Sequence, residues 1–411
     1  MSVQPLFHRD FTLMVVGQII SLFGNAILRF ALSLYVLDLT GSAALFGGVL
    51  AVSMIPTILL SPVGGVLADR LPRHRIMYAL DFLTAALVAG FGLVGRTGST
   101  LPPALLMLCL SAIQACYQPA TQSAVPLLAP PEELTRANGV VTQVYALSSL
   151  LGPIAGGWLY GVWGMGPICA VSAGCFFASA VMECFLHIPF TAPTDQGGIK
   201  VALDDLRQAG QFLSRSGLLP LLAVVAGVNL FLSSCYVVGL PYLVKIYLGL
   251  SSQLYSYVEA AMGLGTILGA LLTGILGQRL SFARSARWLF LSALSLCFIA
   301  LSVLSPAAPL LSWGVILLSA LFGMACAGLF SVLAQTFLQR VTPTPLLGKM
   351  SAFVTAVSTC AMPLGQGLYG IMLEWFSAAP WVVFCFAFAA CLPLVLLASR
   401  LLRADRQQLP A

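Results

Sequence analysis

Twelve apolar runs, each long enough to cross a bilayer, occupy most of this 411-residue chain. They lie at roughly 11–37, 43–68, 76–95, 101–125, 137–160, 166–188, 218–244, 253–277, 287–305, 308–335, 350–375 and 379–401. A hydrocarbon core of about 30 Å needs roughly 20 apolar residues per helix, and in lipid every backbone polar group must be paired inside its own segment. The runs therefore predict helices. Gly, Pro and Ser punctuate the short connectors, as at Thr40-Gly41-Ser42 and Pro130-Pro131. The first run is long and follows only ten residues, so it reads as a retained membrane helix and not as a cleaved signal.

Composition closes off the alternatives. Apolar residues make up 59% of the chain and charged residues 8%, with a mean hydropathy of +0.99. Soluble domains carry about 25% charged residues, so too few charges exist here to cover a water-facing surface. Disorder, nucleic-acid binding and a soluble enzyme are excluded. Of the 19 basic residues, 16 fall in segments on one side of the predicted helices if the N-terminus is inside. Arg96 and Lys245 fall on the other side, and Arg29 lies within the first run. This bias predicts a cell-membrane protein, in the inner (cytoplasmic) membrane, with both termini cytoplasmic. The 11 cysteines all sit in or beside apolar runs, with no CxxC pair, and read as small packing residues. No metal or cofactor is expected.

The chain is written twice. Residues 65–71 (GVLADRL) recur as 274–280 (GILGQRL), and residues 159–161 (LYG) recur as 368–370, both at an offset of 209, which also relates Gly139 to Gly348. A parallel six-helix duplication predicts an all-α integral membrane fold of 12 transmembrane helices in two pseudo-symmetric bundles, with a substrate site between them near the midplane. The expected division is 1–188 for the first bundle, 189–217 for a cytoplasmic linker, and 218–411 for the second bundle with a short cytoplasmic tail. Within the linker, Lys200 to Arg215 has an amphipathic pattern suited to the inner membrane surface.

Two motifs point to moving parts. After the second run comes Gly65-x-x-x-Asp69-Arg70-x-Pro72-Arg73-x-Arg75. Its carboxylate can pair with an arginine or cap a facing helix, and Gly65 permits close approach. The motif reads either as a gate or as a topology-setting loop. The fifth run carries Gly139-x8-Ser148-x3-Gly152-Pro153-x2-Gly156-Gly157. Gly at four-residue spacing lines one helix face, and Pro153 frees a carbonyl and bends the helix.

Together these motifs make the chain resemble the major facilitator superfamily over essentially its whole length. The fifth-run motif is similar to that of proton-driven drug antiporters. Three further segments resemble the macrolide-efflux and enterobactin-exporter branch: Gly17-Gln18-x-x-Ser21-x-x-Gly24, Arg136-Ala137-Asn138-Gly139, and Gln335 to Met350. The resemblance implies alternating-access efflux of small amphipathic molecules (drug-like or siderophore-like) by a proton antiporter of the multidrug-resistance kind, working as a monomer. One departure stands out. Many proton-coupled members carry an arginine in the fourth span, whereas Leu105 to Gln122 has none.

Ionisable residues inside a membrane default to functional candidates. Arg29 lies eight residues inside the outer edge of its run, about 12 Å deep, and Glu259 six residues inside its own, about 9 Å deep. The similar depths suggest a pair that exchanges protons; a static ion pair, or a glutamate wetted at the outer mouth, is the alternative. Asp38, Asp81, Glu183 and Glu374 lie nearer run ends and read as solvated or locally paired. Substrate contacts are expected from Gln18, Asn25, Gln114, Tyr117, Gln118, Asn229, Tyr236 and Gln335. The alternatives to an exporter are a lipid or lysolipid flippase, an uptake facilitator, and a non-transporting sensor. An intramembrane enzyme has no support: there is no His-Glu-x-x-His, no Walker loop and no histidine inside a run.

Overall fold

The computed structural model describes residues 6–95, 98–189, 207–208, 210–213, 218–276, 285–304, 308–343 and 346–406. Within them run twelve long helical segments. The first six are α1 (Arg9–Thr40), α2 (Ala43–Arg70), α3 (Arg73–Val94), α4 (Leu101–Leu128), α5 (Leu134–Trp163) and α6 (Met165–Cys184). The second six are α7 (Leu219–Tyr247), α8 (Ser252–Leu276), α9 (Ser285–Ser302), α10 (Pro309–Val341), α11 (Leu347–Trp375) and α12 (Trp381–Arg406). Interior prolines such as Pro56, Pro119, Pro153 and Pro363 do not break their helices. Neighbouring helices can supply the contacts that a missing N–H forfeits.

Eleven of these helices are long and apolar enough to cross a membrane. The twelfth, α11, is 29 residues long. α7 is irregular, with π-helical turns at Val228–Ser233 and Tyr242–Tyr247. Such turns widen the helix and expose backbone carbonyls, and they often mark functional positions.

By proximity the chain forms two compact units. One contains residues 1–40 and 52–202, the other residues 41–51 and 203–411. The start of α2 thus groups with the second unit, where it packs on α11. Ser42 Oγ donates to Glu374 Oε2 at 2.8 Å, and the Ala44 N–H reaches the same oxygen at 3.4 Å. The linker segment Lys200 to Arg215 lies mostly outside the described residues; within it, 207–208 and 210–213 are helical, and Leu213 is buried with Leu218 and Leu221.

The repeat can be seen in the packing of each unit. Fifth helices pack on first helices through glycine. A Cβ on Gly156 would lie 3.0 Å from the Ile27 carbonyl oxygen of α1. Its counterpart 209 residues on, Gly365, would carry one 2.2 Å from the Leu230 carbonyl oxygen of α7. Backbones this close are how small residues glue membrane helices together.

Candidate functional site

The second unit holds a cavity of about 420 Å³ among α7, α8, α10 and α11. Asn229 and Ser233 project from the first π-turn of α7, Thr266 from α8, and Ser331 and Gln335 from α10. Ser351, Thr355, Ser358 and Thr359 line it from α11. Val225, Phe330 and Leu338 supply apolar wall, and among the described residues no charged one lines the cavity. Ser358 Oγ is buried without a partner. A pocket of this size with mixed hydroxyl, amide and apolar lining suits a neutral or weakly polar guest: burying a fixed charge here would find no countercharge.

The interior of the first unit is different. Arg29 on α1 donates from Nε to Asn25 Oδ1 at 3.0 Å and from an Nη to Ser111 Oγ on α4 at 3.1 Å, while Asn25 Nδ2 donates to Gln114 Oε1 at 3.4 Å. Further along α4, the buried Tyr117 hydroxyl donates to Glu183 Oε1 on α6 at 2.7 Å. Glu183 is 0% exposed and Asp81 on α3 is 3% exposed. A small cavity with about 20 Å³ of water-sized space touches Ser21, Asn25, Asp81, Gln114 and Tyr117. Asp81 and Glu183 are therefore core residues: of the two readings, solvated or locally paired, solvation fails for both, and the bond from Tyr117 makes Glu183 locally paired.

The remaining sequence candidates sort as follows. Gln18 is 1% exposed with neither amide atom partnered, whereas Gln118 is exposed. Asn229 and Gln335 line the large cavity; Tyr236 does not, being buried against the Ser295 hydroxyl. Glu259 Oε2 accepts from the Tyr255 hydroxyl one turn earlier at 2.8 Å. Neither Arg29 nor Glu259 enters an ion pair among the described residues. Their helices also run further than expected. Arg29 lies eleven residues before the end of α1, about 16 Å, and Glu259 seven residues after the start of α8, about 10 Å.

In the loop motif, Arg73 Nε donates to Ser123 Oγ on α4 at 2.8 Å, and Arg70 and Arg75 are exposed. The Asp69 side chain lies outside what is described. The close approach assigned to Gly65 belongs to its neighbour. A Cβ on Gly64 would sit 2.2 Å from the Ala115 carbonyl oxygen, whereas Gly65 faces open space. In the α5 motif, Gly152 packs against Ala26 and Gly156 against Ile27 of α1. Ser148 is buried with its hydroxyl unpartnered, Gly157 is buried, and a Cβ on Gly139 would meet nothing.

Sequence reasoning missed Asp81, Glu183 and the α11 hydroxyls. A signal for the acidic pair was present: each lies five residues inside the marked edge of its run, 76 for Asp81 and 188 for Glu183.

Long helices that shelter polar interiors inside lipid-facing apolar surfaces define a multi-pass membrane protein. The chain belongs to the major facilitator superfamily, a family of membrane transporters whose model matches residues 14–307 and again 222–411. Among similar proteins, macrolide efflux protein A of Streptococcus pyogenes is 24% identical over 385 residues, covering 92% of this chain and 93% of its own. Enterobactin exporter EntS of Escherichia coli O81 (strain ED1a) is 30% identical over 336 residues, covering 80% of this chain and 75% of its own. Among solved structures, a bacterial homologue of the iron transporter ferroportin in its inward-facing state matches with a TM-score of 0.67 at 18% identity, over 95% of this chain and 100% of that one, which shows the fold alone.

Proposed function

We propose that the protein exports small amphipathic molecules by alternating access, exchanging them for protons across the cytoplasmic membrane, as a monomer with both termini in the cytoplasm. The observation that carries this reading is the uncharged cavity of about 420 Å³, whose hydroxyl and amide groups lie among apolar walls. Such a lining takes a guest with scattered hydrogen-bonding groups on an apolar frame. The export direction is supported by relatives named for macrolide efflux and enterobactin export. The orientation is supported by the 16-to-2 bias of basic residues.

On this reading the loop from Gly65 to Arg75 acts as a gate, and the glycine face of α5 lets α1 and α5 slide. Glu259 is a carboxyl group that exchanges the proton, with Arg29 as the cation it meets during the cycle. The test is flux of erythromycin in inverted membrane vesicles with an imposed pH gradient. The wild type should accumulate it in proportion to the gradient, and Glu259→Gln should transport without that dependence. Unchanged pH dependence in Glu259→Gln would remove Glu259 from coupling. Loss of erythromycin from preloaded vesicles, in place of accumulation, would favour an uptake facilitator.

A further inference from the structure

The polar core of the first unit has more acid than its contacts can neutralise. Asp81 and Glu183 face each other from α3 and α6 closely enough to interact electrostatically. Both are buried, and neither is reached by a cation among the described residues. Two buried negative charges at this spacing, with no positive partner, are not a stable arrangement. The groups that face the pair from the neighbouring elements are neutral. They are the Tyr117 hydroxyl from α4, the Ser179 hydroxyl from α6, and Ser21 from α1. Arg29, the charged group on the same stretch of α1, is engaged with Asn25 and Ser111.

Two further observations point to an occupant. One oxygen of each carboxyl group, Asp81 Oδ2 and Glu183 Oε2, is buried with no hydrogen-bond partner. Ser21 Oγ is likewise unpartnered, 3% exposed, and lines the same small cavity as Asp81 and Tyr117. Native interiors rarely leave several polar atoms orphaned together unless something small joins them. The cavity has about 20 Å³ of water-sized space, enough for about one water molecule.

We infer that Asp81 and Glu183 form a proton-binding site inside the first unit, holding one exchangeable proton between them with a water in the adjoining cavity. Tyr117 occupies Glu183 Oε1 as a donor, so the proton goes to Asp81 Oδ2 or Glu183 Oε2. It arrives on water: an O–H bond forms at the carboxylate oxygen and neutral water remains in the cavity. Ser21, which can donate or accept, bridges that water to the pair, and Asn25 and Gln114 continue the polar lining toward Arg29. The site's place in the transport cycle rests on the proton exchange proposed above. Its occupancy does not.

Infrared spectroscopy of the purified full chain in nanodiscs tests the occupancy. The wild type should show a protonated-carboxyl carbonyl band at neutral pH that survives in Glu259→Gln. The band should vanish in the double variant Asp81→Asn with Glu183→Gln. Tyr117→Phe should shift the band without removing it, which keeps the test valid if the double variant folds poorly. A band that persists in a folded double variant, or no band in the wild type, overturns the inference. Loss of the wild-type band on adding sodium would make this a metal-cation site and overturn it too.

Vesicle flux separates the two proposals. If erythromycin export follows the pH gradient and that dependence falls at least tenfold in Asp81→Asn, the site belongs to the cycle. If export ignores the gradient in the wild type while the band behaves as expected, the proton site stands and proton-driven export falls. Gradient-driven export unchanged in Asp81→Asn would make the pair a static structural acid and remove it from the cycle.

Discussion

The two halves of this transporter are copies in helix order but opposites in their interiors. The first half holds charge in its interior: Asp81 and Glu183 are buried and Arg29 half-buried, in a polar core that includes a cavity with about 20 Å³ of water-sized space. The second half has a large neutral cavity. At the offset of 209, Asp81 corresponds to Phe290, Tyr117 to Cys326, Gln18 to Gly227 and Arg29 to Val238. Neither α9 nor the membrane stretch of α12 carries an acidic residue before Asp405. A duplicated frame can thus divide its labour: one copy carries the acidic pair of its third and sixth helices, while the other has no acid at those places, has its membrane carboxyl at Glu259 on α8, and holds the larger cavity. Buried charge in the first half needs a proton to be tolerable, and a chargeless pocket in the second half leaves substrate choice to shape and hydroxyl pattern.

The strongest challenge to this comparison is to the frame that the halves share. At the α7–α11 contact, Gly365→Ala places a methyl 2.2 Å from a carbonyl oxygen that belongs to a helix backbone. Backbone cannot yield as a side chain can, and overpacking of this kind costs about 1–3 kcal/mol. Gly156→Ala meets its neighbour at 3.0 Å and should cost well under half as much. Thermal unfolding of both variants in the same detergent measures the difference. Equal losses would mean that the α1–α5 contact is as rigid as its counterpart, and would weaken the view that it slides.

Next in size is a substitution that fills the cavity. Thr355→Trp on α11 should lower erythromycin export about tenfold, equivalent to about 1.4 kcal/mol, because an indole would occupy space that the guest needs. The first half should be untouched, so the infrared band of the acidic pair should remain in place. Unchanged export would relocate the substrate site away from the second unit.

Much of this was legible in the chain itself. Helix number and the duplication follow from run length and a fixed offset, because lipid imposes a strict length and repeats preserve spacing. What could not be read was which face each polar residue takes. Tyr236 and Gln335 looked alike as candidates, yet the first is sealed behind Ser295 and the second lines the cavity. Gly64 and Gly65 are adjacent, and one step along a helix turned the packing face away from the expected residue. Asp81 and Glu183 were discounted for lying near run ends. Distance along a helix does not measure burial when three other helices cover that end.

The smallest effect concerns Ser42 and Glu374, which join the start of α2 to the end of α11. Ser42 has two roles: its hydroxyl donates to the carboxylate, and it accepts from the Leu45 N–H at 3.2 Å as an N-terminal cap. Glu374 in turn reaches the Ala44 N–H, placing negative charge at the positive end of α2. All three contacts are exposed, so water competes for each. Ser42→Ala should cost about 0.5–1 kcal/mol, seen as a small loss of thermal stability. Ser42→Asp would keep the cap but set two carboxylates against each other. If the helix cap dominates, Ser42→Asp should be the more stable variant; if the link to Glu374 dominates, it should be the less stable, and raised salt should narrow the gap. This order decides whether the contact is local helix chemistry or a clasp between α2 and α11.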